Sequence, residues 1–218
     1  MPRNVGAIIM GTERAYLQNI HADAADTLQY LTDKCKPERE RAVVRAFLRC
    51  IGVTFVESEI VAPSSEPVDV SFHDARFQVR EILQQGRRRG DEWKLKARAQ
   101  SMNDAIVTWN PPTPMSAEDL TLEVTQALDE KAQKYGRSQC SRLDALVYVN
   151  LTLTNVLRPD TALGNTAGLA AQAWRSVSLV FPPYGIVLSA TCDAPGFLQQ
   201  LIGRVRMEWS NVNELFDV

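Results

Sequence analysis

The sequence predicts an α/β protein with a mixed central sheet and helices on both faces. Apolar residues recur at helical spacing near the N-terminus and then alternate with a period of two between residues 53 and 82. A further helical segment follows, and after it comes an almost continuous apolar run that is typical of a strand buried on both faces. An antiparallel meander that gains a strand through a helix forms a mixed sheet, so the expected core order is α-β-β-β-α-β.

Two helices are predicted before the first strand. Residues 13–33 place apolar side chains three and four residues apart, which indicates a helix with one buried face. The second helix begins at Pro37, because proline suits a first helical turn. It ends near Gly52, because glycine commonly follows the last helical residue.

The elements that follow are predicted from the spacing of apolar residues and from the turn-forming residues between the segments. Strands cover 53–62, 67–72 and 76–82, and a turn at 73–75 joins the last two into a hairpin. The proline-rich segment 99–115 is expected to be a loop. The later elements are a helix from Ser116, with Asp119 in a capping box, to Tyr135 before Gly136; strands over 144–151, 176–181 and 184–191; and a final helix over 194–208.

Length and composition narrow the class of protein. The chain has 218 residues and is 45% hydrophobic, which is sufficient for the core of one domain. We divide this domain into an N-terminal arm and helix (1–36), a core (37–151) and a β-β-α extension (152–218). With 24 Lys and Arg against 26 Asp and Glu, contact with nucleic acid would need a local basic patch. Four scattered cysteines and two histidines do not form a zinc pattern, and a reduced cytoplasmic protein without a membrane span or secretory signal is expected.

Glu40 is a candidate functional carboxylate because it lies on the apolar stripe of the second predicted helix. At 100° per residue it falls between Val43 and Val44 and close to Phe47. A carboxylate that faces the core needs a partner or a metal. The alternative is a first-turn glutamate that is stabilised by the helix dipole and reaches solvent.

Three polar side chains are predicted to share one face of the hairpin. Asp69 interrupts a strand of alternating valines, and Gln78 and Arg80 alternate with apolar residues on the next strand. If the hairpin loop has two or four residues, Phe72 pairs with Phe77 and Asp69 pairs with Arg80. An odd loop would separate these groups, and an ordinary ion pair on a solvated sheet face is the alternative.

These residue types suit phosphoryl chemistry. Asp69 can supply a carboxylate ligand to Mg²⁺ or Mn²⁺, Gln78 an amide oxygen, and Glu40 a second carboxylate through water. Arg80 can stabilise charge that develops on a phosphoryl group. Loss of the Asp69 carboxylate is expected to abolish cleavage without loss of stability.

A basic segment follows the strand that carries Gln78. Between residues 87 and 98 there are six basic and two acidic residues. The predicted contacts to a nucleic-acid backbone, with one aromatic ring available for stacking, are Arg87, Arg88, Arg89, Trp93, Lys94 and Lys96. The alternative is a solvated loop or helix start.

Together these residues resemble the PD-(D/E)xK, or restriction-endonuclease-like, superfamily. Residues 67–69 (PVD) stand where that motif has proline-x-aspartate, and residues 78–80 (QVR) stand where it has (D/E)-x-K. The chain also resembles a bacterial family of unknown function described as putative endonucleases. The segments that carry this second resemblance are 38–41 (ERER), 67–70 (PVDV), 74–77 (DARF), 86–88 (GRR), 91–93 (DEW), 174–176 (WRS) and 193–197 (DAPGF).

The resemblance implies a metal-dependent nuclease acting on DNA or RNA, with a homodimer as one possible assembly. Gln78 replaces the usual acid and Arg80 the usual lysine of the superfamily motif. Because arginine stays protonated, Arg80 can stabilise a phosphorane but cannot act as a general base. These same substitutions are expected of a nuclease fold that has lost catalysis, so a nucleic-acid- or partner-binding module is the alternative function.

Overall fold

The computed structural model describes residues 5–64, 66–83, 88–105, 116–150, 163 and 165–207, with residues 5–12 described by their backbone. The helices are α1 (Val5–Tyr30), α2 (Lys36–Cys50), α3 (Asp91–Lys96), α4 (Met102–Ala105), α5 (Ala117–Tyr135), α6 (Arg137–Cys140), α7 (Ala167–Gln172) and α8 (Gly196–Gln199). The strands are β1 (Ile60–Val61), β2 (Val70–Phe72), β3 (Ala75–Leu83), β4 (Asp144–Asn150), β5 (Ser176–Phe181), β6 (Tyr184–Ala190) and β7 (Val205–Met207). None of the helices in these ranges combines the length and the apolar character needed to cross a membrane.

The chain forms two compact units. The first consists of residues 1–36 and 85–111, and the second of residues 37–84 and 112–218. Residues 85–111, which the sequence analysis assigned to the core, therefore group with the N-terminal segment. The second unit contains all seven strands of the sheet, so it holds the candidate residues of the hairpin.

The first unit is helical, and α3 and α4 pack against α1. Gly90 precedes α3 with a φ of +81°, a conformation that favours glycine, and a Cβ atom there would lie 3.2 Å from Leu31 Cδ1. The ring nitrogen Nε2 of His21 is 2.9 Å from the carbonyl oxygen of Ala99, so a hydrogen bond also joins α1 to the segment after α3.

The second unit is built on a seven-stranded mixed sheet whose strands follow chain order from β1 to β7. Strand β2 pairs antiparallel with both β1 and β3, and β4 and β5 run parallel to β3. Strand β6 is antiparallel to β5, and β7 is antiparallel to β6. The sheet confirms the predicted mixed α/β class. Within this unit the order α2, β1, β2, β3, α5, β4 reproduces the expected α-β-β-β-α-β sequence of elements.

Each face of the sheet is covered by one long helix. Leu128 of α5 belongs to one apolar cluster, together with Ala145 and Val147 of β4. On the other face Phe47 of α2 meets Phe77 of β3 edge to face, with ring centres 6.1 Å apart. A side chain on β3 therefore faces α5 or α2 according to its position in the strand alternation.

Helix α5 begins and ends where the sequence predicts. The Ser116 N–H donates to Asp119 Oδ2 at 3.0 Å, and the Asp119 N–H donates to Ser116 Oγ at 3.0 Å. This reciprocal capping box satisfies two N–H groups at the helix start. Gly136, at a φ of +73°, follows the last helical residue.

Three predicted elements are wrong. Within the segment 99–115, which was expected to be a loop, Met102–Ala105 form α4, and residues 106–115 lie outside the described residues. Instead of a strand over 53–62, a 3-10 turn at Glu57–Glu59 precedes the two-residue β1, because the Glu59 carboxylate accepts the Val56 N–H at 2.9 Å and stabilises the turn. Instead of a helix over 194–208, α8 ends at Gln199 and β7 follows, since Gly203 at a φ of +73° turns the chain back to pair with β6.

Candidate functional site

The β2–β3 turn has two residues, His73 and Asp74, and Phe72 pairs with Ala75. The expected pairing of Phe72 with Phe77 is therefore wrong by two residues. Because side chains alternate with a period of two, this shift changes the cross-strand neighbours but leaves each side chain on its expected face.

Asp69 contacts Gln78, and not Arg80, as a result of this register. Gln78 is 2% exposed, and its Nε2 donates a hydrogen bond to Asp69 Oδ2. The same carboxylate oxygen accepts the Val79 N–H at 2.9 Å, while the Asp69 N–H donates to the carbonyl of Phe77 at 2.9 Å. Asp69 is thus joined to β3 through both its main chain and its side chain.

Two residues of α5 complete this contact. Gln78 Oε1 accepts a hydrogen bond from the Tyr135 hydroxyl, and it lies 3.5 Å from the Lys131 ammonium. Lys131 Nζ is also 3.4 Å from the Tyr135 hydroxyl. Neither residue was predicted from the sequence. Their spacing of one helical turn indicates that they share a face of the helix, but it does not indicate which face of a sheet that side of the helix contacts.

Arg80 lies on the same face of β3 as Gln78, two residues further along. Its Nη2 is 3.7 Å from Glu130 Oε2, and the Glu130 side chain is 84% exposed. An exposed pair at this distance contributes little. Arg80 Nε is buried without a hydrogen-bond partner among the described residues. Arg80 therefore lies on the α5 face of β3, and among the described residues its one carboxylate neighbour, Glu130, neutralises it weakly.

Glu40 does not join Asp69. It belongs to α2, whose apolar side chains pack on the face of the sheet opposite to α5. Glu81 also faces away from Gln78, as its position in the alternation predicts, and its Oε1 accepts a hydrogen bond from Asn150 Nδ2 at 2.9 Å. A helical stripe predicts that Glu40 faces a sheet, but it does not predict which side of the sheet.

A buried carboxylate that the sequence analysis missed holds the hairpin in place. Asp144 is completely buried and accepts hydrogen bonds from the Arg76 N–H at 2.8 Å, Ser176 Oγ at 2.7 Å and Arg175 Nε at 3.1 Å. Arg175 also donates to the carbonyl oxygen of Asp74 at 2.9 Å. This cluster joins the β2–β3 turn to the starts of β4 and β5, so it positions the strand that carries Gln78.

Comparison with known proteins identifies the family. The family model described as "Putative endonuclease, protein of unknown function (DUF1780)" matches residues 12–212. The chain belongs to the DUF1780 family. No curated protein matches the DUF1780 chain.

One solved structure resembles this DUF1780 protein over most of both chains. It is a protein of unknown function from Pseudomonas aeruginosa strain PAO1, described as belonging to the monooxygenase superfamily. The two chains are 28% identical with a TM-score of 0.63, and the match covers 89% of the DUF1780 chain and 94% of the neighbour. The monooxygenase superfamily is part of the description of that neighbouring structure and is not assigned to this chain.

The residues described around Asp69 in this DUF1780 protein do not fit the predicted metal site. Gln78 directs its N–H group toward the carboxylate of Asp69, and its amide oxygen accepts from the Tyr135 hydroxyl near the Lys131 ammonium. An amide oxygen that ligates Mg²⁺ would have to face the cation that the carboxylate binds. In the described ranges no group of three or more His, Cys, Asp or Glu side chains is placed to hold a metal ion.

The predicted nucleic-acid segment of the DUF1780 chain belongs to the first unit. Its described members are Arg88, Arg89, Trp93, Lys94 and Lys96, and Arg87 lies outside the described residues. The Lys96 ammonium is 4.1 Å from the centre of the Trp93 ring, so it covers one face of the indole. Lys94 Nζ is 3.2 Å from Asp91 Oδ1. A base that stacks on this face of Trp93 would have to displace Lys96.

Proposed function

We propose that this protein is a nuclease that hydrolyses phosphodiester bonds in nucleic acid, with Asp69 as its essential carboxylate. The observation that carries the proposal is the grouping of Asp69 and Gln78 with the cationic Lys131 and Arg80 on the α5 face of the sheet. The family description as a putative endonuclease supports the same chemistry. The order of elements α-β-β-β-α-β supports a relationship to the PD-(D/E)xK superfamily.

Each side chain has a role in the proposed hydrolysis. Asp69 accepts a proton from the water that attacks phosphorus; the P–O bond to one ester oxygen breaks, and that oxygen takes up a proton from solvent. Lys131 and Arg80 stabilise the negative charge that develops on the phosphoryl oxygens. Gln78 and Tyr135 orient the carboxylate and the ammonium group. Dependence on Mg²⁺ or Mn²⁺ is implied by the sequence resemblance alone, and the comparison of metal with EDTA in the assay tests it.

A non-catalytic nucleic-acid-binding module is the second candidate. It is favoured by the hydrogen bonds between Gln78 and Asp69 and between Val79 and Asp69, because they give the carboxylate a structural function. A carboxylate used in this way stabilises the hairpin whether or not chemistry takes place there.

The name of the structural neighbour suggests a different activity, consumption of dioxygen with a reductant such as NADPH. The groups around Asp69 are a carboxylate, an amide, a phenol and two cations, a set that suits an anionic substrate. An oxygen-electrode measurement with NADPH on the same preparation is therefore the control against a monooxygenase activity.

The experiment is a cleavage assay with end-labelled single- and double-stranded DNA and RNA, in Mg²⁺, in Mn²⁺ and in EDTA. It compares wild type with Asp69→Asn and with Asp193→Asn, an exposed aspartate outside the site. Cleavage that is lost in Asp69→Asn and retained in Asp193→Asn supports the nuclease. Equal cleavage by all three proteins, or by none, overturns it; a salt-sensitive gel shift without cleavage supports the binding module.

A further inference from the structure

A cavity of about 400 Å³ opens next to the Asp69–Gln78 contact in the second unit. Its walls include Pro67, which lies two residues before Asp69, and Tyr135, whose hydroxyl donates to Gln78. Cavities of this size accommodate small ligands. The cavity is therefore connected to the proposed site through Pro67 and Tyr135, although neither Asp69 nor Gln78 lines it.

Two arginines contribute to the walls of this cavity from different elements. Arg76 lies on β3, and Arg142 lies in the turn between α6 and β4. Both side chains are exposed, and within the described part of the chain neither guanidinium has a hydrogen bond or an ion pair. Two solvated guanidinium groups beside one cavity are suited to bind an anion, because arginine donates paired hydrogen bonds to phosphate oxygens.

Further positive charge lies next to the same cavity. The ammonium groups of Lys131 and Lys134 are 5.5 and 5.6 Å from the centre of the Tyr135 ring. Two arginines that line the cavity and two lysines close to Tyr135 thus lie in one region of a chain whose net charge is −2. Such a local excess raises the concentration of anionic ligands at the cavity.

A second cavity of about 420 Å³ adjoins the first, because Pro67 and Arg76 line both. Its walls also include Ser71 and His73 of the hairpin and two acidic side chains, Glu66 and Asp74. Arg76 therefore stands between two adjacent spaces. The two carboxylates disfavour a phosphate in the second cavity, so an anion is expected in the first cavity, beside Arg76 and Arg142.

We propose that Arg76 and Arg142 form a subsite for a backbone phosphate of a single strand of nucleic acid. The phosphate lies in the first cavity, beside Tyr135. Nucleic acid as the ligand rests on the proposed function. The subsite itself assigns binding residues outside the predicted basic segment of the first unit.

The test measures binding without cleavage. Fluorescence anisotropy of a labelled twelve-nucleotide single strand, as DNA and as RNA, is recorded in EDTA over a series of salt concentrations. Arg76→Ala and Arg142→Ala are each expected to weaken binding about tenfold. Each is also expected to reduce the slope of log K against log salt by about 0.7, the value for one phosphate contact on a single strand.

Arg204→Ala is the matched control, since Arg204 is an exposed arginine of the same unit that lines neither cavity. It is expected to keep the wild-type affinity and slope. Urea midpoints of all three variants verify that they are folded. The subsite is overturned if Arg76→Ala and Arg142→Ala bind within about twofold of wild type, if Arg204→Ala loses as much as they do, or if wild type does not bind.

The two proposals fail separately. Loss of cleavage in Asp69→Asn together with normal binding by both arginine variants removes the subsite and retains the nuclease. Weak binding by both arginine variants together with full cleavage by Asp69→Asn retains the subsite and removes the role of Asp69.

Discussion

The carboxylate of Asp69 accepts the main-chain N–H of Val79 at 2.9 Å. This hydrogen bond joins the start of β2 to the middle of β3 through a side chain, at a point where the pairing of the two strands has ended. Asp69 therefore stabilises the hairpin in addition to its proposed role in hydrolysis. Its substitution is expected to change stability as well as activity.

Asp69→Ala should lower the free energy of unfolding by about 1–3 kcal/mol, because it leaves the Val79 N–H and the buried Gln78 amide without their acceptor. From the sequence alone no loss was expected. Urea denaturation of Asp69→Ala and Asp193→Ala measures the difference. An unchanged midpoint in Asp69→Ala would show that water replaces the carboxylate without cost.

Arg175→Met should destabilise the protein by about 3–5 kcal/mol, because it removes the guanidinium that pairs with the completely buried carboxyl group of Asp144. The double variant Asp144→Asn, Arg175→Met should lose less than the sum of the two single variants. Urea denaturation of the four proteins closes this double-mutant cycle, and Arg204→Met is the control for an exposed arginine. Additive losses would contradict a direct coupling.

Gly185→Ala tests the close approach of β6 to α2. A Cβ atom at Gly185 would lie 2.8 Å from Ile51 Cγ2 and 3.0 Å from Cys50 Cβ, so the added methyl group should cost about 1–3 kcal/mol. At Gly196 the same change meets no atom within 4 Å and should alter stability by less than about 0.5 kcal/mol. Thermal unfolding of both variants measures the contrast, and equal midpoints would contradict the packing.

Stability should depend on pH through the ion pair of Glu57 with Arg45. Hydrogen bonds from the Arg45 guanidinium lower the pKa of the Glu57 carboxyl, against the opposing effect of partial burial. A lowered pKa in the folded state contributes stability above the unfolded value of about 4.3, and that contribution is lost as the pH falls through the folded value. The Glu57 side chain is 57% exposed, so the contribution is small.

Urea midpoints of wild type and Glu57→Gln from about pH 7 to about pH 2 measure this dependence. Wild type should be the more stable protein near pH 7, and the difference should disappear toward the acid end. A constant difference across the range would contradict the assignment to Glu57.

Arg88→Ala tests the predicted basic segment independently of the cavity. If Arg88 contacts a backbone phosphate, the substitution should weaken binding of the labelled single strand and reduce the salt slope by about 0.7. The same anisotropy titration measures it, with Arg204→Ala as the reference. An unchanged slope would favour the solvated-surface interpretation of this segment.

Local signals were sufficient for part of the fold. Ser116 and Asp119 cap α5 through atoms three residues apart, and Gly136 ends it, so both limits of the helix are readable from a few adjacent residues. The buried β4 was predicted because a short, uninterrupted apolar run after a helix is typical of a strand covered on both faces. The short α8 and β7 were not, because a helical period and an alternating one cannot be distinguished over a few residues.

The candidate site depended on relationships that sequence spacing does not contain. Asp69 and Gln78 were expected to share a face, yet whether Asp69 meets Gln78 or Arg80 depends on a turn of two residues instead of four. Asp144 and Arg175 are distant in sequence, and their pairing appears only when β4 and β5 lie side by side. The face of the strand on which each side chain lies was predictable from the alternation. The register of the strands and the side of the sheet that each helix covers were not.

The division of the chain has a consequence for folding during synthesis. Strands β3 and β4 are neighbours in the sheet, but residues 85–111 lie between them in the sequence and belong to the first unit. As the chain leaves the ribosome, all of the first unit emerges before Asp144, the first residue of β4. Since pairing between distant segments is slow, the helical unit can form while β3 still lacks its parallel neighbour. Until β4 arrives, one edge of β3 is exposed to chaperones and to other nascent chains.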